Sequence, residues 1–194
     1  MQHYKIFSDL LSKVDVLSEQ EIEIITSSFR VDYISKNQFF SQAGQRCNRL
    51  GFLNSGILCS YIYNADGYEV VKHFLEPHQY FTDLESYEKN REARLNIMAV
   101  IDSVILSIDK QENNKLQNQI PKWEYVQGLF ASRALNNMIQ MQNFLHFGSA
   151  ADKYRHFVEN HPNLARHVPL KYIASYLGIT QSSLSRLRRE NTGK

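Results

Sequence analysis

The sequence predicts an α+β protein in which strands and helices occupy separate parts of the chain. Three observations lead to this prediction. Short runs of β-branched and aromatic residues, separated by turn residues, fill positions 31–108. Apolar residues at spacings of three and four run through positions 121–147, and two helical patterns joined at a glycine fill positions 168–189.

The first segment, residues 4–30, has apolar residues at helical spacing with a break near residues 15–18. Ser18 and Glu21 have the spacing of a capping box, in which each side chain accepts a hydrogen bond from the backbone amide of the other residue. We therefore expect two short helices here, and we expect them to pack on the unit that follows.

Residues 31–108 are expected to form an antiparallel barrel or sandwich of short strands. Apolar and polar residues alternate up to Tyr63, and Asn64-Ala65-Asp66-Gly67 is a favourable hairpin connection into Tyr68–Leu75. Glu76-Pro77-His78 supplies a further turn, and Ile97–Ile108 is again rich in strand-forming residues.

A single long helix is expected over residues 121–147. It carries one apolar stripe, and Leu135 and Ile139 begin a second apolar line on another side. One face is expected to pack on the β-unit and the other on a second copy across a two-fold axis, and burial of both faces within one chain is the alternative. The predicted dimer-interface residues are Val126, Phe130, Ala134, Met138, Met141 and Leu145.

Residues 168–189 have the pattern of a helix-turn-helix, preceded by a short helix that Ser149 can cap. Gly178 can adopt the left-handed conformation that a sharp turn requires, and Thr180 can cap the second helix. The residues expected to face inward are Ile173, Ala174, Leu177, Ile179, Leu184 and Leu187.

The outward face of the second helix carries hydrogen-bonding and cationic side chains, which suit phosphates and base edges. Residues 1–152 contain 14 Lys/Arg and 18 Asp/Glu, a net charge of −4, whereas residues 153–194 contain 8 and 2, a net charge of +6. Because neutralising phosphates supplies much of DNA affinity, a nucleic-acid surface is expected at the C-terminal end, and a helical hairpin kept for packing alone is the alternative. The predicted DNA-binding residues are Gln181, Ser182, Ser183, Ser185, Arg186, Arg188 and Arg189.

Composition argues against several other classes of protein. The chain has 43% hydrophobic and 22% charged residues, with no membrane-span pattern and no signal-peptide pattern, so we expect a cytoplasmic protein. Cys47 and Cys59 are too few for a disulfide framework or a four-thiolate cluster, although a redox pair is an alternative to two buried thiols. The histidines lack metal-ligand spacing and no catalytic constellation is present, so neither a metal, a cofactor nor an enzyme activity is expected.

The order of these parts resembles the CRP/FNR family of bacterial transcription regulators over nearly the whole chain. The run FFSQAGQRCNRLGFLNSGILCSYIYNADGYEVVKHFLEPHQYF resembles the family's β-roll, and IASYLGITQSSLSRLRRE is similar to its helix-turn-helix. The resemblance implies a cupin-like antiparallel β-roll, or double-stranded β-helix, in residues 1–120, a dimerisation helix in residues 121–147 and a DNA-binding domain in residues 148–194. It further implies a homodimer on a near-palindromic site in double-stranded DNA, with RNA polymerase as a further partner.

The family's base-reading positions fall on Gln181, Ser182 and Arg186, and its phosphate position falls on Ser183. Members that respond to cAMP have a Gly-Glu-Leu stretch followed by Arg-Ser, and here the matching stretch, Phe81–Ser86, has no glycine. Arg94 matches the family's arginine only after a slip of one residue, so cAMP is not expected as the effector.

Asp83, Glu85 and Arg94 are the candidates for binding some other effector, with a solvated loop as the alternative. The competing function for the whole chain is a β-roll that binds a small molecule or a protein partner and carries a vestigial helix-turn-helix.

Overall fold

The two N-terminal helices lie where the sequence predicts them. The computed structural model describes residues 2–146 and 148–192, and it describes the backbone alone for residues 2, 141–144, 146, 191 and 192. After a short 3-10 turn come α1 (Lys5–Ser12) and α2 (Glu19–Ser27). The capping box is confirmed, since the Ser18 amide donates to Glu21 Oε2 at 2.7 Å and the Glu21 amide donates to Ser18 Oγ at 3.2 Å.

An antiparallel sheet rolled on itself follows the helices. Its strands are β1 (Arg30–Ile34), β2 (Phe39–Ser41), β3 (Arg49–Tyr63), β4 (Glu69–Leu75), β5 (Tyr80–Phe81) and β6 (Asn96–Asp109). Strands β1, β6, β3 and β4 lie in that order, while β2 also pairs with β6 and β5 with β3. The two long strands β3 and β6 pair from Arg49↔Asp109 to Tyr61↔Asn96, with bulges on either side of Gly56. Each of the shorter strands pairs with one of these two long strands.

The other helices confirm the predicted α+β class. A short helix α3 (Leu84–Lys89) separates β5 from β6, and α4 (Lys110–Gln119) follows β6. The long helix α5 (Lys122–His146) comes next, and Ser149 caps α6 (Ala150–Asn160) through a second capping box. The chain continues through α7 (Pro162–His167), α8 (Leu170–Leu177) and α9 (Gln181–Thr192), and none of the helices within the described residues is long and apolar enough to cross a membrane.

Three of these helices were not predicted, and each has a physical reason. Helix α4 has the sequence KQENNKLQNQ and buries only Asn113 and Leu116, so its sequence shows almost no helical repeat of apolar residues. Its one sequence signal is the Asp109 cap, whose carboxylate accepts from the Glu112 amide at 3.0 Å. Helices α3 and α7 have six residues each, which is too short for a periodic pattern.

Buried side chains form three clusters. The inner core lies inside the roll and includes Leu53, Leu58, Ile97 and Ile105. The N-terminal core joins α1, α2, α4 and the start of α5 to the outside of the roll, with the rings of Phe7, Phe29, Phe52 and Trp123. The C-terminal core joins the roll to the last four helices, and its members include Ile57, Val71, Val100, Tyr154, Phe157, Ile173, Tyr176, Leu177 and Leu184.

Replacing Gly56 by alanine should strongly destabilise the fold. Gly56 has φ +107°, and an added Cβ would lie 2.1 Å from Ser103 Oγ and 2.6 Å from Ser103 Cα. Two costs then lower the free energy of unfolding together. The left-handed backbone of a non-glycine residue costs about 1–2 kcal/mol, and the overlap with Ser103 costs about 1–3 kcal/mol. Gly67→Ala is the matched control, because Gly67 has φ +82° with nothing within 4 Å of its added Cβ. This variant should be destabilised by the backbone strain alone. Urea unfolding measures both, and equal losses would contradict the close approach at Ser103.

Neither cysteine should react with a thiol reagent while the protein is folded. Cys59 is 0% exposed in the C-terminal core, and burial raises the pKa of its thiol to about 12, so it is protonated at pH 8. Cys47 is 4% exposed and belongs to the inner core, so the two thiols lie in different clusters. We expect no colour release from Ellman's reagent at pH 8 until guanidinium is added, and then two equivalents. Rapid reaction of the native protein would instead support a redox pair.

Candidate nucleic-acid interface

The predicted helix-turn-helix corresponds to α8, a tight turn and α9. Gly178 ends α8 with φ 66°, in the left-handed region that its sequence position predicts. The Ile179 amide donates to the Ala174 carbonyl at 3.0 Å, so the turn is closed by a backbone hydrogen bond. Leu184 is fully buried, and it and the partly buried Leu187 pack into the C-terminal core, which fixes which side of α9 faces outward.

Thr180 caps α9, as the sequence predicts. Its Oγ1 accepts a hydrogen bond from the Ser183 amide at 3.2 Å and donates to Ser183 Oγ at 2.8 Å. The Ser182 hydroxyl lies 3.0 Å from the same oxygen. The first turn of α9 is thus held by a cluster of three hydroxyl groups.

Most of the predicted DNA-binding side chains share an exposed surface. Gln181, Ser182, Arg186, Arg188 and Arg189 are exposed, whereas Ser183 and Ser185 are half-buried beside the apolar side of the helix. The exposed set combines amide, hydroxyl and guanidinium groups on one short helix. Such groups can hydrogen-bond to base edges and neutralise phosphates.

This helical unit is docked on the roll through α8 and β4. The Ser175 hydroxyl accepts from the Val71 amide at 3.0 Å and donates to the Glu69 carbonyl at 3.0 Å. Lys171 Nζ lies 3.0 Å from Glu69 Oε2, and the Phe74 and Tyr176 rings lie 5.1 Å apart. The orientation of α9 therefore depends on strand β4, a link that sequence reasoning did not find.

A side-chain hydrogen bond lies at the same junction. His161 Nδ1, at the end of α6, is 2.7 Å from Glu76 Oε2, just after β4. Phe157 belongs to the C-terminal core, and its ring lies 6.2 Å from that of Phe74. Helices α6 and α8 therefore both contact the segment that runs from β4 to the following turn.

The predicted dimer-interface residues have different surroundings within the chain. Val126 is fully buried in the N-terminal core, and the Phe130 ring stacks on Tyr80 at 4.7 Å, so both residues contact their own chain. Ala134 is half-buried, Met138 is exposed, Leu145 packs against the C-terminal core, and the side chain of Met141 lies outside the described residues. The second apolar line, Leu135 and Ile139, is exposed, and with Met138 it forms an apolar patch on the C-terminal half of α5.

The three candidate effector residues do not form a pocket. Asp83 is 3% exposed and is structural: its Oδ1 accepts from the Ser86 amide at 3.0 Å and its Oδ2 accepts from the Leu95 amide at 3.1 Å. Glu85 is exposed and lies 3.5 Å from Lys89, and Arg94 is exposed. The prediction of a solvated loop is wrong for Asp83, whose burial and capping role follow from the unpredicted helix α3.

The comparisons agree with this architecture. Residues 31–119 match the family described as the cyclic nucleotide-binding domain. No curated protein matches the chain at a significant level.

Several solved structures share the fold over most of their length. The c-di-GMP responsive global regulator CLP of Xanthomonas campestris is 14% identical, with a TM-score of 0.71 over 91% of this chain and 92% of that one. FixK2 of Bradyrhizobium japonicum is 16% identical, with a TM-score of 0.70 over 84% and 83%. A regulator of Eubacterium rectale assigned to the crp/fnr family is 16% identical, with a TM-score of 0.68 over 98% and 87%. Residues 31–119 thus match the model of a cyclic nucleotide-binding domain, and the chain has the fold of these solved regulator structures.

Proposed function

We propose that this protein is a homodimeric, sequence-specific DNA-binding transcription regulator of the CRP/FNR type. The observation that carries the proposal is the exposed polar and cationic face of α9, held in place by the buried Leu184 and by the turn at Gly178. The net charge of +6 on residues 153–194 supports the same surface, because it favours phosphates over other partners. RNA polymerase is a proposed further partner, for which no surface is assigned.

In this proposal the exposed residues divide between bases and backbone. Arg186 makes a bidentate contact to guanine, because its planar guanidinium matches the two acceptors of that base in the major groove. Gln181 pairs with adenine, and Ser182 lies beside it in the first turn. Arg188, Arg189 and Ser183 contact phosphates, Ser185 completes the surface, and these contacts position α9 without reading sequence.

The exposed patch of Leu135, Met138 and Ile139 supports a dimer through α5. A monomer would leave these side chains 56%, 38% and 48% exposed on one helix. Pairing the patch with its copy across a two-fold axis buries it and yields two α9 helices related by symmetry. Two such helices suit half-sites roughly 34 Å apart on a near-palindromic operator.

We further propose that cyclic nucleotides are not the effector, although residues 31–119 match the domain named after them. The Asp83 carboxylate occupies the amides of Ser86 and Leu95, so neither amide is left for a phosphate. A carboxylate buried at this place also repels a second anion.

Selection from a random duplex library should enrich a two-fold-symmetric motif, and Arg186→Ala should weaken binding to it. Losing a bidentate guanine contact costs about 1–3 kcal/mol, which is roughly a 5- to 150-fold loss of affinity. Discrimination at that base pair should be lost at the same time. Fluorescence anisotropy at fixed salt measures both effects.

Arg155→Ala is the matched control for this experiment. Arg155 is an exposed arginine of α6 that pairs with Asp152 at 3.0 Å, so the substitution removes the same charge away from α9. It should change affinity little. Weak, motif-free binding that both substitutions reduce equally would contradict sequence reading by α9 and favour a β-roll protein with a vestigial helix-turn-helix.

Ile139→Glu should convert the dimer to a monomer. Two glutamates facing each other at a two-fold axis introduce like charges into an apolar contact. Light scattering measures the molar mass, and circular dichroism shows whether each chain remains folded. Ile6→Glu serves as control, because Ile6 is similarly exposed, at 37%, on α1. A dimer that survives the substitution at Ile139 would place the interface elsewhere.

A further inference from the structure

A pocket of about 750 Å³ lies beside β1 and β2, and its lining includes no residue of the segment that matches the family's effector site. It is lined by both strands, by the turn that joins them and by part of the loop that leads to β3; we refer to it as the β1–β2 pocket. Its volume falls within the roughly 300–1,000 Å³ that small-molecule sites occupy. It therefore has room for a metabolite.

Two of the three charged side chains that line the pocket are cations. They are Arg46 and Arg49, and Asp32 is the third, which gives a net charge of +1. Arg49 is held rigidly, because its Nη1 lies 3.0 Å from Asp32 Oδ2, its Nη2 donates to the Phe40 carbonyl at 2.9 Å, and its guanidinium carbon lies 4.2 Å above the Phe40 ring.

The carboxylate of Asp32 is already well satisfied. Ser107 Oγ donates to its Oδ2 at 2.6 Å, and Arg30 Nε lies 3.3 Å from its Oδ1. The Asp32 carboxylate thus interacts with two arginine side chains and one hydroxyl group. A guanidinium has five N–H groups, of which Arg49 uses two on protein acceptors within the described residues. The Arg46 side chain is exposed and has no ion pair within the same residues.

Ser41 provides independent evidence for a ligand. It is 5% exposed, it lines the same pocket, and its Oγ has no hydrogen-bond partner among the described residues. A buried hydroxyl without a partner is unfavourable, and native structures rarely keep one unless another group satisfies it. Rotation about χ1 that turns the Ser41 hydroxyl toward the pocket would let a ligand oxygen satisfy it.

Several polar groups at α3 are paired with one another. Asp83 is bound to two amides, and Ser86 Oγ accepts from the Cys47 amide at 2.9 Å while donating to the Arg91 carbonyl at 2.6 Å. Backbone hydrogen bonds between Ala93 and residues Gly44 and Gln45 close the adjoining loop. These groups have partners, in contrast to Ser41 Oγ, which has none among the described residues.

We propose that the β1–β2 pocket binds a small organic monoanion, a carboxylate with an apolar body, through Arg46 and Arg49 and with Ser41 as a hydrogen-bond donor. A single negative charge matches the net charge of the lining, and a carboxylate fits the fork of an arginine. The apolar body contacts Phe39 and Phe40, which line the same pocket. This inference concerns the sensor half and does not depend on DNA binding.

The test is a ligand-observed NMR screen of the full chain against small aromatic and aliphatic carboxylic acids. Each acid is paired with its neutral amide, and inorganic phosphate is included as a separate anion. We expect acids to be selected over their amides, and Arg46→Gln and Ser41→Ala each to weaken the bound acids at least fivefold. Arg46 is exposed and Ser41→Ala removes one unpaired oxygen, so both variants should stay folded, which circular dichroism checks.

Arg94→Gln is the matched control, since Arg94 is an exposed arginine on the segment that resembles the family's effector site. It should leave acid binding unchanged. Failure of every acid to bind, equal binding of acids and amides, a preference for phosphate, or loss of binding in Arg94→Gln but not in Arg46→Gln would each overturn the proposal.

Discussion

The contact between strand β4 and helix α8 determines how the two halves of the protein are arranged. β4 lies at one edge of the sheet, where backbone amides lack a strand partner, and Ser175 satisfies the Val71 amide there. From the same strand, Val71 and Phe74 pack into the C-terminal core. One helix thus protects a sheet edge and fixes the place of the exposed face of α9, because α9 packs against α8 through Leu184.

The apolar part of this contact dominates its energetics. Lys171 and Glu69 remain 53% and 30% exposed at the side chain, and an exposed ion pair contributes about 0–1 kcal/mol. Burying an aromatic or aliphatic side chain contributes about 1.5–3 kcal/mol, and the C-terminal core contains many of them. Turning α9 relative to the roll would break that core, so an effector can do so only by binding the turned state more tightly.

The sequence predicted features that depend on local chemistry. The capping box at Ser18, the helix cap at Ser149, the hairpin after Tyr63 and the turn at Gly178 each need only a few neighbouring residues, and all are present. Helix α4 was missed because tertiary contacts stabilise a nearly all-polar sequence. The β1–β2 pocket was missed because Ser41, Arg49 and Asp32 meet only when β1 and β2 both pair with β6, and no spacing in the sequence encodes that meeting.

The long helix α5 shows why an apolar pattern alone does not assign partners. Its stripe continues from Val126 to Leu145 without a break in the sequence, yet the structure divides it between surroundings. Val126 packs in the N-terminal core, Met138 is exposed, and Leu145 packs against the C-terminal core. The exposed patch of Leu135, Met138 and Ile139 draws one residue from this stripe and two from the second apolar line. Neither line alone therefore predicts which surface of α5 is left for a partner.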